Sequence, residues 1–159
     1  MLLPSQFGAG TLAEVQPLSL VVPRDKYEEM FIVGSYDDKP FAVCLSEKWK
    51  FLGMPCEGTT AHGGLIIPNV GIEVDDTSLF KVESFYAPIG SLVRDGDGLF
   101  LGFKSENSWG RAGSSARLMS GLPDYTGKVG FSRWSVSLGE GRAKRTLHMV
   151  DLAASADQP

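Results

Sequence analysis

Ile89-Gly90-Ser91-Leu92-Val93-Arg94-Asp95-Gly96-Asp97-Gly98-Leu99-Phe100-Leu101-Gly102-Phe103 is the stretch that decides the fold. Two apolar runs, residues 89–94 and 99–103, flank Asp-Gly-Asp-Gly. Asp-Gly between apolar runs is the strongest short-range signal for a β-hairpin, because glycine takes the left-handed backbone that tight turns demand. Composition agrees with this reading. The chain has 19 Gly and 9 Pro, residues that punctuate chains that turn often and that are costly inside helices.

Upstream of the hairpin, residues 15–22 read as a strand with Leu18, Leu20 and Val22 on one face, and Pro17 favours an edge or a strand start. Residues 29–36 and 41–46 form a second predicted hairpin across Asp37-Asp38-Lys39. The period of two puts Phe41, Val43 and Leu45 on one face, with Ala42 and Cys44 on the other. Residues 46–53 fit a short helix with Ser46 as N-cap and Gly53 as its stop. Residues 65–67, 70–74 and 79–86 continue the strand pattern.

Downstream, residues 104–127 are long, polar and rich in Gly and Ser, and read as a loop with a helical turn near residues 114–121. Residues 129–138 alternate as one strand, with Trp134, Val136 and Leu138 on one face and Phe131, Arg133, Ser135 and Ser137 on the other. A turn at Gly139-Glu140-Gly141 leads to a last strand near residues 145–152, and residues 153–159 read as a tail. About nine short strands with one or two helical turns predict an all-β antiparallel sandwich or barrel. A single domain over residues 1–152 is the expectation for a chain of 159 residues.

Charge reverses along the chain. Residues 1–103 carry 7 Lys and Arg against 14 Asp and Glu, and residues 104–159 carry 8 against 5. The basic part also holds Trp109, Tyr125, Phe131 and Trp134. Such polarity fits a surface with two electrical faces. The start, MLLPSQFGAGTLAE, lacks the basic stretch and apolar run of a secretory signal, and no run approaches the ~20 apolar residues of a membrane helix. The expectation is a soluble cytoplasmic protein with no membrane partner; Cys44 and Cys56 would be free thiols in a reducing compartment and could bridge neighbouring strands in an oxidising one.

The residues bear on three chemistries. Cys56 precedes His62 by six positions in a Gly-rich segment. An imidazole beside a thiol activates it as a nucleophile, with Asp75 or Asp76 as the orienting group, which is the pattern of a cysteine-dependent hydrolase. A buried thiol beside an exposed loop His is the plainer explanation, because such pairs are defined by geometry rather than spacing. Metal binding finds no support: two His and two Cys lack zinc spacing, and Asp95 and Asp97 open a calcium-like pattern that Leu99 breaks. No cofactor is expected, since Thr126-Gly127-Lys128 lacks the hydroxyl residue of a phosphate loop and Gly139-Glu140-Gly141 precedes a strand rather than a helix.

The third chemistry is single-stranded nucleic-acid binding. Trp109, Arg111, Phe131, Arg133, Arg142, Lys144 and Arg145 combine cations for phosphates with rings for bases. An isoelectric point of about 5.1 works against it. The preferred reading is a non-catalytic protein-interaction or assembly module, a homo-oligomer that uses its charge-polar faces and residues 104–127. The same residues, Trp109 and Arg111 first, would then meet the protein partner, since Trp and Arg are enriched at interface hot spots.

Overall fold

A computed structural model describes residues 8–10, 18–23, 29–36, 39–56, 64–83, 87–96, 98–104, 109–113 and 125–155. The fold is all-β and antiparallel. Its strands are β1 (Gly8–Gly10), β2 (Ser19–Pro23), β3 (Phe31–Tyr36), β4 (Lys39–Cys44), β5 (Gly53–Pro55), β6 (Gly64–Pro68) and β7 (Gly71–Val74), followed by β8 (Leu79–Lys81), β9 (Leu92–Asp95), β10 (Gly98–Lys104), β11 (Trp109–Gly113), β12 (Val129–Phe131), β13 (Arg133–Leu138) and β14 (Arg145–Asp151). A single helical turn, α1 (Leu152–Ser155), follows.

The predicted hairpin forms as β9 and β10, with Asp95 opposite Gly98 and Gly96 in the left-handed region at φ +58°. The hairpin of β3 and β4 also forms, in register from Phe31 opposite Cys44 to Tyr36 opposite Lys39. A large sheet runs β1-β6-β2-β3-β11-β10-β9-β12-β8, and β4 and β5 continue from the other side of β3. The pairings close a circuit: β3 to β4, β4 to β5, Leu52 beside β5 to Lys104 of β10, β10 to β11, and β11 back to β3 at Ser35. A small sheet has the order β14-β13-β7.

The main core lies where the small sheet packs on the large one. Leu20, Ile32, Phe41, Val43, Leu45, Leu92, Leu101 and Phe103 meet Trp134, Val136, Leu138 and Val150 there. The period of two sends the alternate residues Val21, Phe31, Val33, Ala42 and Cys44 into a second cluster on the opposite side of the strands. The rings of Tyr36, Phe41 and Phe103 meet tilted or edge-on across β3, β4 and β10, Phe41 and Phe103 with centroids 4.7 Å apart. Gly53 lies under both phenyl rings; a Cβ there would come within 2.3 Å of Phe103 Cδ2. Glycine is what lets these rings close over β5.

Four expectations need correction. Among the described residues there are fourteen strands rather than about nine, because several runs divide into short pieces. Residues 104–127 are not simply a loop: β10 extends through Lys104, and β11 pairs with β10 along its length. Its sequence, Trp-Gly-Arg-Ala-Gly, has no apolar alternation, so the neighbouring strand rather than its own pattern defines it. Residues 114–121, where a helical turn was expected, lie outside the described residues. The helix at 46–53 reduces to one tight turn, Glu47–Trp49, and Ser46 makes no cap. Its Oγ instead accepts the Met30 backbone N–H at 2.6 Å.

The fourth correction concerns residues 129–138, which are two strands rather than one. β12 belongs to the large sheet and β13 to the small, and the chain changes sheets at Ser132. The break resets the alternation, so Phe131 and Trp134 are both buried. The tail expected at 153–159 begins inside α1, and its last four residues lie outside the described set.

Candidate functional site

Two Ser residues and one Arg build the polar corner where the chain changes sheets. Ser132 N–H donates to the Ser78 carbonyl at 3.2 Å, Leu152 N–H donates to the Ser132 carbonyl at 3.0 Å, and Arg133 N–H donates to Ser78 Oγ at 2.9 Å. The Arg133 side chain then spans two strand ends. Its Nη1 donates to Asp75 Oδ2 at 2.8 Å and its Nε to Asp151 Oδ2 at 3.0 Å. The Thr77 hydroxyl and backbone N–H also donate to Asp75 Oδ1. The Thr77 hydroxyl first, and then Arg133, hold the Asp75 carboxyl down at about 2. Those two carboxylates in turn raise the Arg133 guanidinium, Asp75 foremost.

One residue on, Trp134 is buried and its indole N–H donates to the Gly90 carbonyl at 2.8 Å. Gly90 has φ +80°, and a Cβ there would come within 2.2 Å of the Phe51 ring. Gly90 N–H donates to the Gly102 carbonyl at 2.8 Å, and Gly102 N–H donates to the Ser91 carbonyl at 3.0 Å. The segment before β9 is therefore clamped between β10 and the small sheet.

The nucleic-acid candidates do not form one platform. Phe131 has no exposed surface, and the Arg94 guanidinium lies 5.1 Å from its ring centroid. Arg133 is held by two carboxylates, as described above. Lys144 pairs with Glu73, while Arg142 and Arg145 are exposed beside the turn that precedes β14. Trp109 and Arg111 are in β11, opposite Lys104 and Gly102. Phe131 and Arg133 thus sit in different sheets, which removes the shared strand face expected for them. Arg94 carries no sequence signal for this contact beyond its place in the hairpin, two residues from Leu92.

The thiol candidate fares no better. Cys56 is fully buried, and burial pushes its thiol up to about 11. His62 lies outside the described residues. Asp75, expected as an orienting group, is held by Thr77 and Arg133. Cys44 is buried as well, its thiol raised chiefly by that burial, and neither cysteine forms a disulfide. Cys44 N–H bonds to Leu52 and Cys56 N–H to Pro40, which spaces the two about four residues apart along β4. At ~3.3 Å per residue that separation is too long for a disulfide. Among the described residues no group of three or more His, Cys, Asp or Glu could hold a metal ion. Asp95 Oδ1 takes Lys128 Nζ at 2.8 Å.

The surface offers a different kind of candidate. Among the described residues the most exposed large apolar side chains are Met149 at 64% and Leu79 at 56%. Met149 lies on β14, a terminal strand of the small sheet, and Leu79 on β8, a terminal strand of the large sheet. Trp49, 47% exposed, lies in the turn after β4, with Lys48 Nζ 5.6 Å from its ring centroid. Among the described residues no helix is long and apolar enough to cross a membrane.

The family model described as "Uncharacterised protein y4lG" matches residues 9–158. A curated relative, "Uncharacterized protein y4lG" of Sinorhizobium fredii (strain NBRC 101917 / NGR234), is 42% identical over 149 residues, covering 92% of this chain and 91% of its own length. No solved structure matches.

Proposed function

From the premise that the chain belongs to the y4lG family, whose description carries no activity, we propose that it is a self-associating assembly module that works through its sheet edges. One observation carries the reading: among the described residues the two most exposed large apolar side chains, Met149 and Leu79, each fall on a terminal strand, one in each sheet. A terminal strand presents unpaired backbone N–H and C=O groups, and natural proteins normally blunt such edges with charge or proline. An exposed apolar side chain beside such an edge adds area that a partner strand would bury. The described chemistry-bearing groups support the same reading, because the fold itself uses them: Cys56 is sealed, Phe131 is covered and Arg133 is paired twice.

Native mass spectrometry, with sedimentation velocity over a hundredfold range of concentration, tests the proposal. The expected result is a discrete multimer with no added mass. A chain that stays monomeric across the range, or a monomer carrying a nucleotide, metal or small-molecule adduct, overturns it.

A further inference from the structure

β14 is seven residues long, Arg-Thr-Leu-His-Met-Val-Asp, with neither Pro nor Lys within it. It pairs with β13 on one side, and no strand among the described residues takes its outer edge. Its charged residues, Arg145 and Asp151, stand at its two ends, and a long terminal strand whose middle holds no Lys, Arg, Asp, Glu or Pro is a template for another strand. Resting on the self-association proposed above, we infer that the partner is a second copy of this chain. The two copies join antiparallel along β14 and merge their small sheets into one of six strands about a two-fold axis.

The register follows from the faces. Val150 lies opposite Trp134 and His148 opposite Val136, so both share the core face, and Val150 is buried there. Met149 lies opposite Ser135, Thr146 opposite Ser137 and Asp151 opposite Arg133, which puts all three on the outer face. A bulge between Thr146 and His148 shifts the alternation, so that Arg145, opposite Leu138, returns to the core face. Like faces must meet across a two-fold axis that runs through the sheet. The register that satisfies this sets Arg145 opposite Val150, Thr146 opposite Met149 and Leu147 opposite His148 of the other copy.

That register also sets Lys144 opposite Asp151, twice by symmetry. Charge complementarity therefore accompanies the match of faces. Lys144 already touches Glu73, but an ammonium has three donors and can serve a second carboxylate. Asp151 accepts Arg133 Nε on one oxygen and Ala153 N–H on the other, and a carboxylate has room for about four donors. Neither group has to give up the partners named here. The bulge sets which register is compatible rather than closing the edge.

The test uses the two exposed outer-face positions that the register brings together. In Thr146→Glu/Met149→Glu like charges face each other twice, and in Thr146→Lys/Met149→Glu opposite charges do. Light scattering after size exclusion, with sedimentation equilibrium, reads the dimer constant, and thermal unfolding checks that each variant is folded. The expected result is a dimer for the parent chain and for Thr146→Lys/Met149→Glu, with weakening by about tenfold or more for the doubly acidic variant. Equal dimerisation of the two variants overturns the β14 register and leaves self-association standing. Loss of the dimer in Leu79→Glu, with both β14 variants unaffected, moves the interface to β8. A monomeric parent chain overturns both the register and the reading on which it rests.

Discussion

The two faces of the small sheet are built on different principles. The inner face, Trp134, Val136, Leu138 and Val150, is packed against the large sheet and held by buried apolar area. The outer face holds Arg133, Asp75, Asp151, Lys144 and Glu73, joined by ion pairs between partly exposed groups. Arg133 and Trp134 are neighbours in sequence and belong to opposite faces. Burial makes the inner face hard to alter, and exposure makes the outer face cheap to alter and available to a partner. The comparison predicts a steep order of effects across one peptide bond.

The largest effect belongs to Trp134→Ala. It removes the largest fully buried side chain and its hydrogen bond to Gly90, and is expected to cost about 3–5 kcal/mol. Urea unfolding measures it. A cost below that of Arg133→Ala would break the comparison outright. Next comes Gly102→Ala. A Cβ at that position would lie 2.3 Å from the Pro88 carbonyl oxygen, which is backbone and cannot swing aside, so a loss near the upper end of about 1–3 kcal/mol is expected. This variant sharpens the comparison because the same segment carries the Gly90 carbonyl that receives the indole. Trp134→Phe isolates that bond. It keeps most of the apolar bulk and leaves a buried carbonyl without its donor, for an expected loss of about 1–2 kcal/mol.

Much of this division is legible in the sequence. The Asp-Gly turn gives the β9–β10 hairpin, and the alternation of Phe41, Val43 and Leu45 against Ala42 and Cys44 gives the two sides of β4 as they stand. Trp134, Val136 and Leu138 face the core as their spacing requires. The change of sheet at Ser132 is not legible, because an alternating run of ten residues looks the same whether it pairs in one sheet or two. It is fixed by distant hydrogen bonds to Ser78 and Leu152. β11 is hidden for a related reason: its glycines carry no pattern, and its strand character comes from β10. The site candidates suffered most, since a list of cations says nothing of which carboxylates will meet them. Arg133 finds Asp75 from 58 residues away and Asp151 from 18.

The smallest expected effect lies on the outer face and is read through pH. The native Asp75 carboxyl stays ionised down to about 2, whereas in the unfolded chain it takes up its proton in the ordinary carboxylate range. Between those limits the unfolded state binds more protons than the native state, so this group's stabilisation is complete above the ordinary range and is lost as pH falls toward 2. Thr77 donates to Asp75 twice, and its hydroxyl is the largest cause of the depression, with Arg133 after it. Thermal midpoints followed from pH 5 down to about 2 should therefore fall less steeply in Arg133→Gln than in the parent chain, and less steeply still in Thr77→Val. At pH 7 Arg133→Gln should lower the midpoint less than Trp134→Phe does, because two partly exposed ion pairs are screened by water. If Arg133→Gln is as damaging as Trp134→Phe at neutral pH, the outer face is structural in the same sense as the inner one. The surface left for a partner would then shrink to the β14 edge and Met149.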